Sequence, residues 1–100
     1  MVEIRQTNVF SDWLRRLRNE KARSRILIRV RHLSLGNFGD VKPVGEGVSE
    51  LRVDYGPGYR VYLQQRGNVL VLLLAGGIKK TQPTDIAKAK KLAKEWANGS

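Results

Sequence analysis

The chemistry open to this chain begins with two arginines. Val48 to Asp54 alternates with a period of two, which puts Leu51 and Val53 on one face of a strand and Glu50, Arg52 and Asp54 on the other. Tyr59 to Gln65 alternates in the same way, with Val61 and Leu63 inward and Arg60, Tyr62 and Gln64 outward. Arg52 and Arg60 can therefore stand side by side on neighbouring strands. A guanidinium fork engages two phosphate oxygens at once and stays charged at any physiological pH, so the pair suits phosphate binding. The same spacing also allows an ion pair with Glu50 or Asp54 across the hairpin, which contributes little if exposed.

Other side chains carry a similar double reading. Lys79 and Lys80 follow the last strand, and Lys42 lies in the loop before the first of these strands; each is a phosphate contact or a solvated charge. Tyr62 shares the Arg60 face and could stack on a base or donate a proton, whereas Tyr59 is expected at the edge of the core. Asp85 opens the last helix, as an acid, a base or a cap. His32 follows Arg23, Arg25, Arg29 and Arg31 and reads as a surface residue. That arginine set is a solvated helix face by default, or a contact for ribosomal RNA. Trp13 and Trp96 fall on apolar stripes and are assigned to the core.

Composition narrows the field. Nineteen Lys and Arg against nine Asp and Glu give a net charge of +10, more than solubility requires, and point to a polyanionic partner. With no cysteine and one histidine, a disulfide framework, a zinc site or a serine–histidine triad is hard to build, so no metal is expected. The longest apolar run, Val69 to Ala75, is far short of the ~18 residues of a membrane span. The first residues lack the apolar core of a signal peptide, so a cytoplasmic location is expected. A single domain over 1–97 with a frayed end at 98–100 accounts for the length.

These side chains must be positioned by elements whose signals are local. Val2 to Gln6 reads as a strand. Val9, Phe10, Trp13, Leu14 and Leu17 recur at helical spacing, and Ala22, Ile26, Val30 and Leu33 repeat the pattern in a second helix that Gly36 should end. Residues 37–47, rich in Gly and Pro, read as a loop. Three strands follow, with Gly56-Pro57-Gly58 and Gly67-Asn68 as turns and Gly76-Gly77 ending the last one. Ile86, Ala89, Leu92, Ala93 and Trp96 make the stripe of a final helix. The predicted order is β-α-α-β-β-β-α. It implies an α+β domain with a four-stranded, mainly antiparallel sheet, an N-terminal helical hairpin on one face and the other face partly open.

This order, with several motifs, resembles the RelE/ParE superfamily of type II toxins and most closely its HigB-like group of addiction-module killer proteins. The resemblance is carried by Ile4-Arg5-Gln6-Thr7, by Gly39-Asp40-Val41-Lys42-Pro43-Val44-Gly45, and above all by Ser49-Glu50-Leu51-Arg52-Val53-Asp54-Tyr55-Gly56-Pro57-Gly58-Tyr59-Arg60-Val61-Tyr62. Leu73-Leu74-Ala75-Gly76-Gly77-Ile78-Lys79-Lys80-Thr81-Gln82 and Asp85-Ile86-Ala87 extend it over almost the whole chain.

The resemblance implies a ribosome-dependent mRNA endoribonuclease that needs neither metal nor cofactor. The 2′-hydroxyl attacks the adjacent phosphate and the 5′-oxygen leaves. Arg60 would contact the scissile phosphate, Arg52 would support it, and Lys79 would be the second catalytic cation, because a lysine crowded by cations gives up its proton more readily. Lys42, Tyr62, Lys80 and Asp85 would bind the RNA. Where mRNA-cleaving relatives carry a tyrosine or histidine near the last helix, this chain has Thr84-Asp85-Ile86. A ParE-like inhibitor of DNA gyrase, acting by binding alone, is the alternative. The implied partners are a cognate antitoxin, the ribosome with its mRNA, and operator DNA reached through the antitoxin.

Overall fold

The computed structural model describes residues 2–99, with side chains described as far as Trp96. The elements are β1 (Glu3–Gln6), α1 (Asn8–Arg16), α2 (Glu20–Ser34), β2 (Val41–Gly45), β3 (Val48–Val53), β4 (Tyr59–Arg66), β5 (Leu70–Ile78), a 3-10 turn (Lys79–Thr81) and α3 (Gln82–Gly99). The frayed end expected at 98–100 reaches residue 100, which lies outside the described residues. No helix among those described is long and apolar enough to cross a membrane.

The sheet has five strands, not four, in the order β1-β5-β4-β3-β2. β1 runs parallel to β5 and the other pairs are antiparallel. The added strand is β2, from the stretch read as loop. Pro43 is a loop signal by itself, yet it pairs with Ser49 on an edge strand, where one side of the backbone has no ladder bond to lose.

Both N-terminal helices pack on one face, as expected. Phe10 of α1 and Ala22, Ile26 and Leu33 of α2 join Leu51, Val53, Val61, Leu63 and Leu73 in one core cluster. The Thr7 hydroxyl accepts from the Phe10 N–H at 3.1 Å, capping α1, and donates to the Leu74 carbonyl at 2.6 Å, tying that cap to β5. Asn19 caps α2 by accepting from the Ala22 N–H at 3.1 Å, and Gly36, at φ +85°, ends it in the left-handed region.

The opposite face is not open along its length. α3 lies on it, with Ala89 and Ala93 against Val48, Tyr62, Leu72, Leu74 and Ala75. Alanines at these positions let the helix backbone approach the sheet closely. The β4–β5 register shifts so that Leu73 faces Leu63 while Ala75 faces Tyr62, leaving Leu74 as the extra residue of a bulge. Leu72, Leu74 and Ala75 all reach the α3 side as a result, while Val71 and Leu73 are buried on the other face, so 71–75 is apolar on both. Gly76 and Gly77 do not end β5 but lie within it, paired with Val61 and Arg60. A Cβ on Gly76 would overlap the Trp13 ring, and one on Gly77 the Asp85 carboxylate, so each face needs its glycine for close approach.

Candidate functional site

Beyond the first turn of α3, β3 and β4 set Arg52 directly opposite Arg60. Like charges in that position repel. The carboxylate that holds them together is Glu50, whose side chain is only 3% exposed. Its Oε2 accepts from Arg52 Nε at 2.9 Å and lies 3.9 Å from Arg60 Nε, while Oε1 accepts from Gln82 Nε2 at 2.6 Å. Burial alone would raise the Glu50 pKa. Hydrogen bonds from Arg52 and Gln82, with the charges of both arginines, outweigh it and leave the carboxyl below its ordinary value.

Arg60 has a 10% exposed side chain and incomplete partners. One Nη donates to the Tyr59 carbonyl at 3.1 Å, and the buried Nε has no hydrogen-bond partner. An unmade bond of this kind costs about 1–3 kcal/mol; the Nε is buried on the Glu50 side, and it is the Nη groups that stand beside Gly58.

A cleft of about 350 Å³ opens beside this pair, lined by Asp40, Arg52, Asp54, Gly56, Pro57, Gly58, Arg60 and Lys79. The turn before β4 builds one wall. Gly58 donates its N–H to the Tyr55 carbonyl at 3.0 Å and accepts from the Lys79 N–H at 2.7 Å, which brings Lys79 to the cleft. With φ at +79° Gly58 sits where side chains are strained, and a Cβ there would stand 3.3 Å from an Arg60 Nη. Arg29 secures the other wall. Its Nη1 donates to the Arg52 carbonyl at 2.5 Å, and Nη2 reaches the carbonyls of Phe38 and Asp40, each at 3.4 Å. It was expected on a solvated helix face and instead fixes the segment that carries Asp40. Cations and exposed carboxylates thus share the lining, so directed hydrogen bonds rather than net charge would hold an anion here. Carboxylates and a lysine beside that anion could also move a proton.

Of the residues singled out from sequence, the cleft brings together Arg52, Arg60 and Lys79. Lys42 pairs with Glu50 across β2–β3 but is exposed and does not line the cleft, and Lys80 is exposed in the 3-10 turn. Asp85 accepts from the Thr81 hydroxyl and lines a separate hollow with Asp12, Trp13, Arg16 and Lys88. Tyr62 is on the expected face yet wholly buried under α3, so it presents no ring for stacking as placed. Burial first, then the charges of Glu50 and Asp85, push its pKa up to about 12 against the opposing effect of Arg60. By sequence Glu50 is only an ion-pair alternative for the arginines, and Gln82 only the end of a motif. The signal for Glu50 was its place two residues before Arg52 on the arginine face. Nothing local announces that Gln82 reaches it. Among the described residues no group of three His, Cys, Asp or Glu could hold a metal ion.

No protein-family model matches the chain. It is 50% identical over 94 residues to an uncharacterized protein of Haemophilus influenzae, a match covering 94% of this chain and 95% of that one. In three dimensions it is similar to the E. coli toxin RelE, solved in the free state as an arginine double mutant. The TM-score is 0.71 at 17% identity, over 90% of this chain and 95% of RelE. At that identity the likeness is one of fold: a five-stranded mixed sheet with three helices, in a RelE-like arrangement. Half of its residues are matched along nearly the whole of both sequences, so the chain belongs to the same family as the Haemophilus influenzae protein, with the fold of RelE.

Proposed function

We propose that the protein is the toxin of a type II toxin–antitoxin pair, of the HigB-like kind, and cuts translated mRNA in the ribosome. The observation that carries this reading is Arg60, a nine-tenths buried guanidinium facing Arg52 across the strand pair and lining one cleft with it and with Lys79. Attack by a 2′-hydroxyl on its neighbouring phosphate builds charge on the phosphoryl oxygens, and preorganised donors aimed at that charge supply most of the rate. Arg60 and Arg52 take that role, and Lys79 takes the 2′-hydroxyl proton and passes it to the 5′-oxygen as the bond from phosphorus to that oxygen breaks. Glu50 holds both arginines without entering the cleft. The reaction so written calls for no metal or cofactor. Lys42 and Lys80, exposed outside the cleft, are assigned to flanking phosphates. Asp85 is assigned to the helix start, where it holds Thr81.

A cognate antitoxin neutralises the protein by laying an acidic segment over the Arg52–Arg60 surface, and the complex reaches operator DNA through the antitoxin. Its place of action is the cytoplasm, where ribosomes are. The test is a cell-free bacterial translation reaction with mRNA 5′ ends mapped by primer extension. New ends should appear only during translation, and Arg60→Ala should lower their rate about 10²–10³-fold. A second reading, inhibition of gyrase by binding alone, is favoured by one observation: among the described residues no aromatic ring lines the cleft to stack on a base. Unchanged mRNA together with loss of DNA supercoiling would select it.

A further inference from the structure

One edge of β5 is left bare around Gly76. β1 ends its ladder at Gln6, which faces Leu73, and the chain then turns away into α1. Past that point, among the described residues, β5 has a neighbouring strand only on the β4 side. The Lys79 N–H donates to the Gly58 carbonyl at 2.7 Å, and antiparallel pairs alternate between bonded and unbonded. Gly77 with Arg60 and Ala75 with Tyr62 are therefore bonded pairs. Gly76, opposite Val61, turns its N–H and carbonyl to the bare edge. Its neighbours along that edge are already served. The Leu74 carbonyl accepts from the Thr7 hydroxyl at 2.6 Å, and the Ile78 N–H donates to the Thr81 hydroxyl at 3.4 Å. Among the described residues nothing bonds to Gly76 on this side. A partly buried backbone donor and acceptor call for a partner.

That partner is small and flat. A peptide strand docks through a row of alternate residues, whereas here one residue is free with an occupied group on either side of it. The hollow at this edge has a volume of about 360 Å³, a size suited to a small organic ligand. α1 brings Trp13 to one face of the sheet and α3 brings Asp85 to the other, where a Cβ on Gly76 or Gly77 would overlap them. A group bonded to Gly76 in the plane of the sheet thus lies between the two helices, with the indole on one side. Arg16 and Lys88 are exposed at the rim. The carboxylates of the hollow are engaged, Asp12 with Arg15 at 2.6 Å and Asp85 with the Thr81 hydroxyl, so both cations keep capacity for an anion. Each nucleobase carries an acceptor beside an N–H donor on its pairing edge, a face that stacks on aromatic rings, and a phosphate at a distance. We propose that this hollow is a nucleotide site, with the base bonded to Gly76 against Trp13 and the phosphate held by Arg16 and Lys88. Its source is a free mononucleotide or one base of a single-stranded RNA. The site stands whether or not the arginine cleft cuts RNA.

The probes are the four ribonucleoside 5′-monophosphates, with ribose 5-phosphate as the control that lacks a base. In the isotope-labelled wild-type chain, at least one mononucleotide should shift the amides of Gly76 and of residues 12–16. Ribose 5-phosphate should leave Gly76 unmoved. Arg16→Ala and Lys88→Ala, both at exposed positions, should each weaken binding roughly tenfold. A short single-stranded RNA separates the sources. If it competes with the mononucleotide for Gly76, the site takes a base of RNA; if the mononucleotide shift persists, the site takes the free nucleotide. An equal response to ribose 5-phosphate would overturn the proposal, because any anion would then do. So would shifts confined to the Arg52–Arg60 cleft, or a Gly76 amide unmoved by all four mononucleotides at millimolar concentration.

Discussion

Two buried side chains, Glu50 and Tyr62, make opposite demands on pH. Glu50 has a lowered pKa in the folded state, so its contribution to stability is whole above the ordinary carboxylate range and is lost as pH falls through its folded value. Glu50→Gln should cost about 3 kcal/mol in urea unfolding at pH 7, because it leaves two facing arginines without their counter-charge. The gap between variant and wild type should then narrow in acid. Tyr62 has a raised pKa, so its contribution is whole below its ordinary value of 10.0 and disappears as pH rises through about 12. Its hydroxyl has no hydrogen-bond partner. Tyr62→Phe should therefore be neutral or stabilising by about 1 kcal/mol at pH 7, and thermal melts above pH 10 should show the variant holding out longer than wild type. At this scale the sequence was half legible. Alternation put Glu50, Arg52, Arg60 and Tyr62 on one face, because a strand's period of two is a local property. It could not tell a position that meets the cleft from one that is covered: Tyr62 and Arg60 are two residues apart on the same strand and both are buried, but Tyr62 packs under α3 and Arg60 lines the cleft.

The elements depend on a few close approaches. Gly76→Ala should force Trp13 off the sheet, and Gly77→Ala should push Asp85 and the first turn of α3 away; each overpacking should cost about 1–3 kcal/mol in denaturant unfolding. Gly77→Ala should also loosen the Gln82–Glu50 bond and so disturb the arginines more than Gly76→Ala does, visible as a larger loss of activity at equal loss of stability. Thr7→Ala removes both the cap of α1 and its tie to Leu74, and should lower stability by about 1–2 kcal/mol. Most elements could be read from their own residues: the stripes of α1 and α2, the stop at Gly36 and the alternation of β3 and β4 are all written within a few positions. β2 could not, because Gly and Pro within 41–45 look like loop signals to any reading that lacks the edge position excusing them. The place of α3 was hidden too, because its stripe says that a face is buried but not against which side of the sheet.

For the whole molecule, a net charge of +10 predicts that binding to single-stranded RNA falls steeply with salt. A plot of log K against log salt from anisotropy should be linear, and Arg60→Ala should reduce its slope by about 0.7, the share of one phosphate contact on a single strand. Topology was the least legible level. β1 pairs in parallel with β5, Glu3 facing Leu70 and Gln6 facing Leu73, and no local pattern records a partner that far along the chain. That pairing has a consequence for the order of assembly during synthesis. The first strand and both helices that follow it emerge with nothing to close upon, and Arg52 and Arg60 appear before the strand that flanks them. Glu50 precedes both arginines, but only when β5 and Lys79 have been made can the sheet and the cleft be completed. A nascent chain stopped short of Lys79 carries Arg52 and Arg60 but lacks part of the cleft wall, so the cleft can close only once that residue has been made.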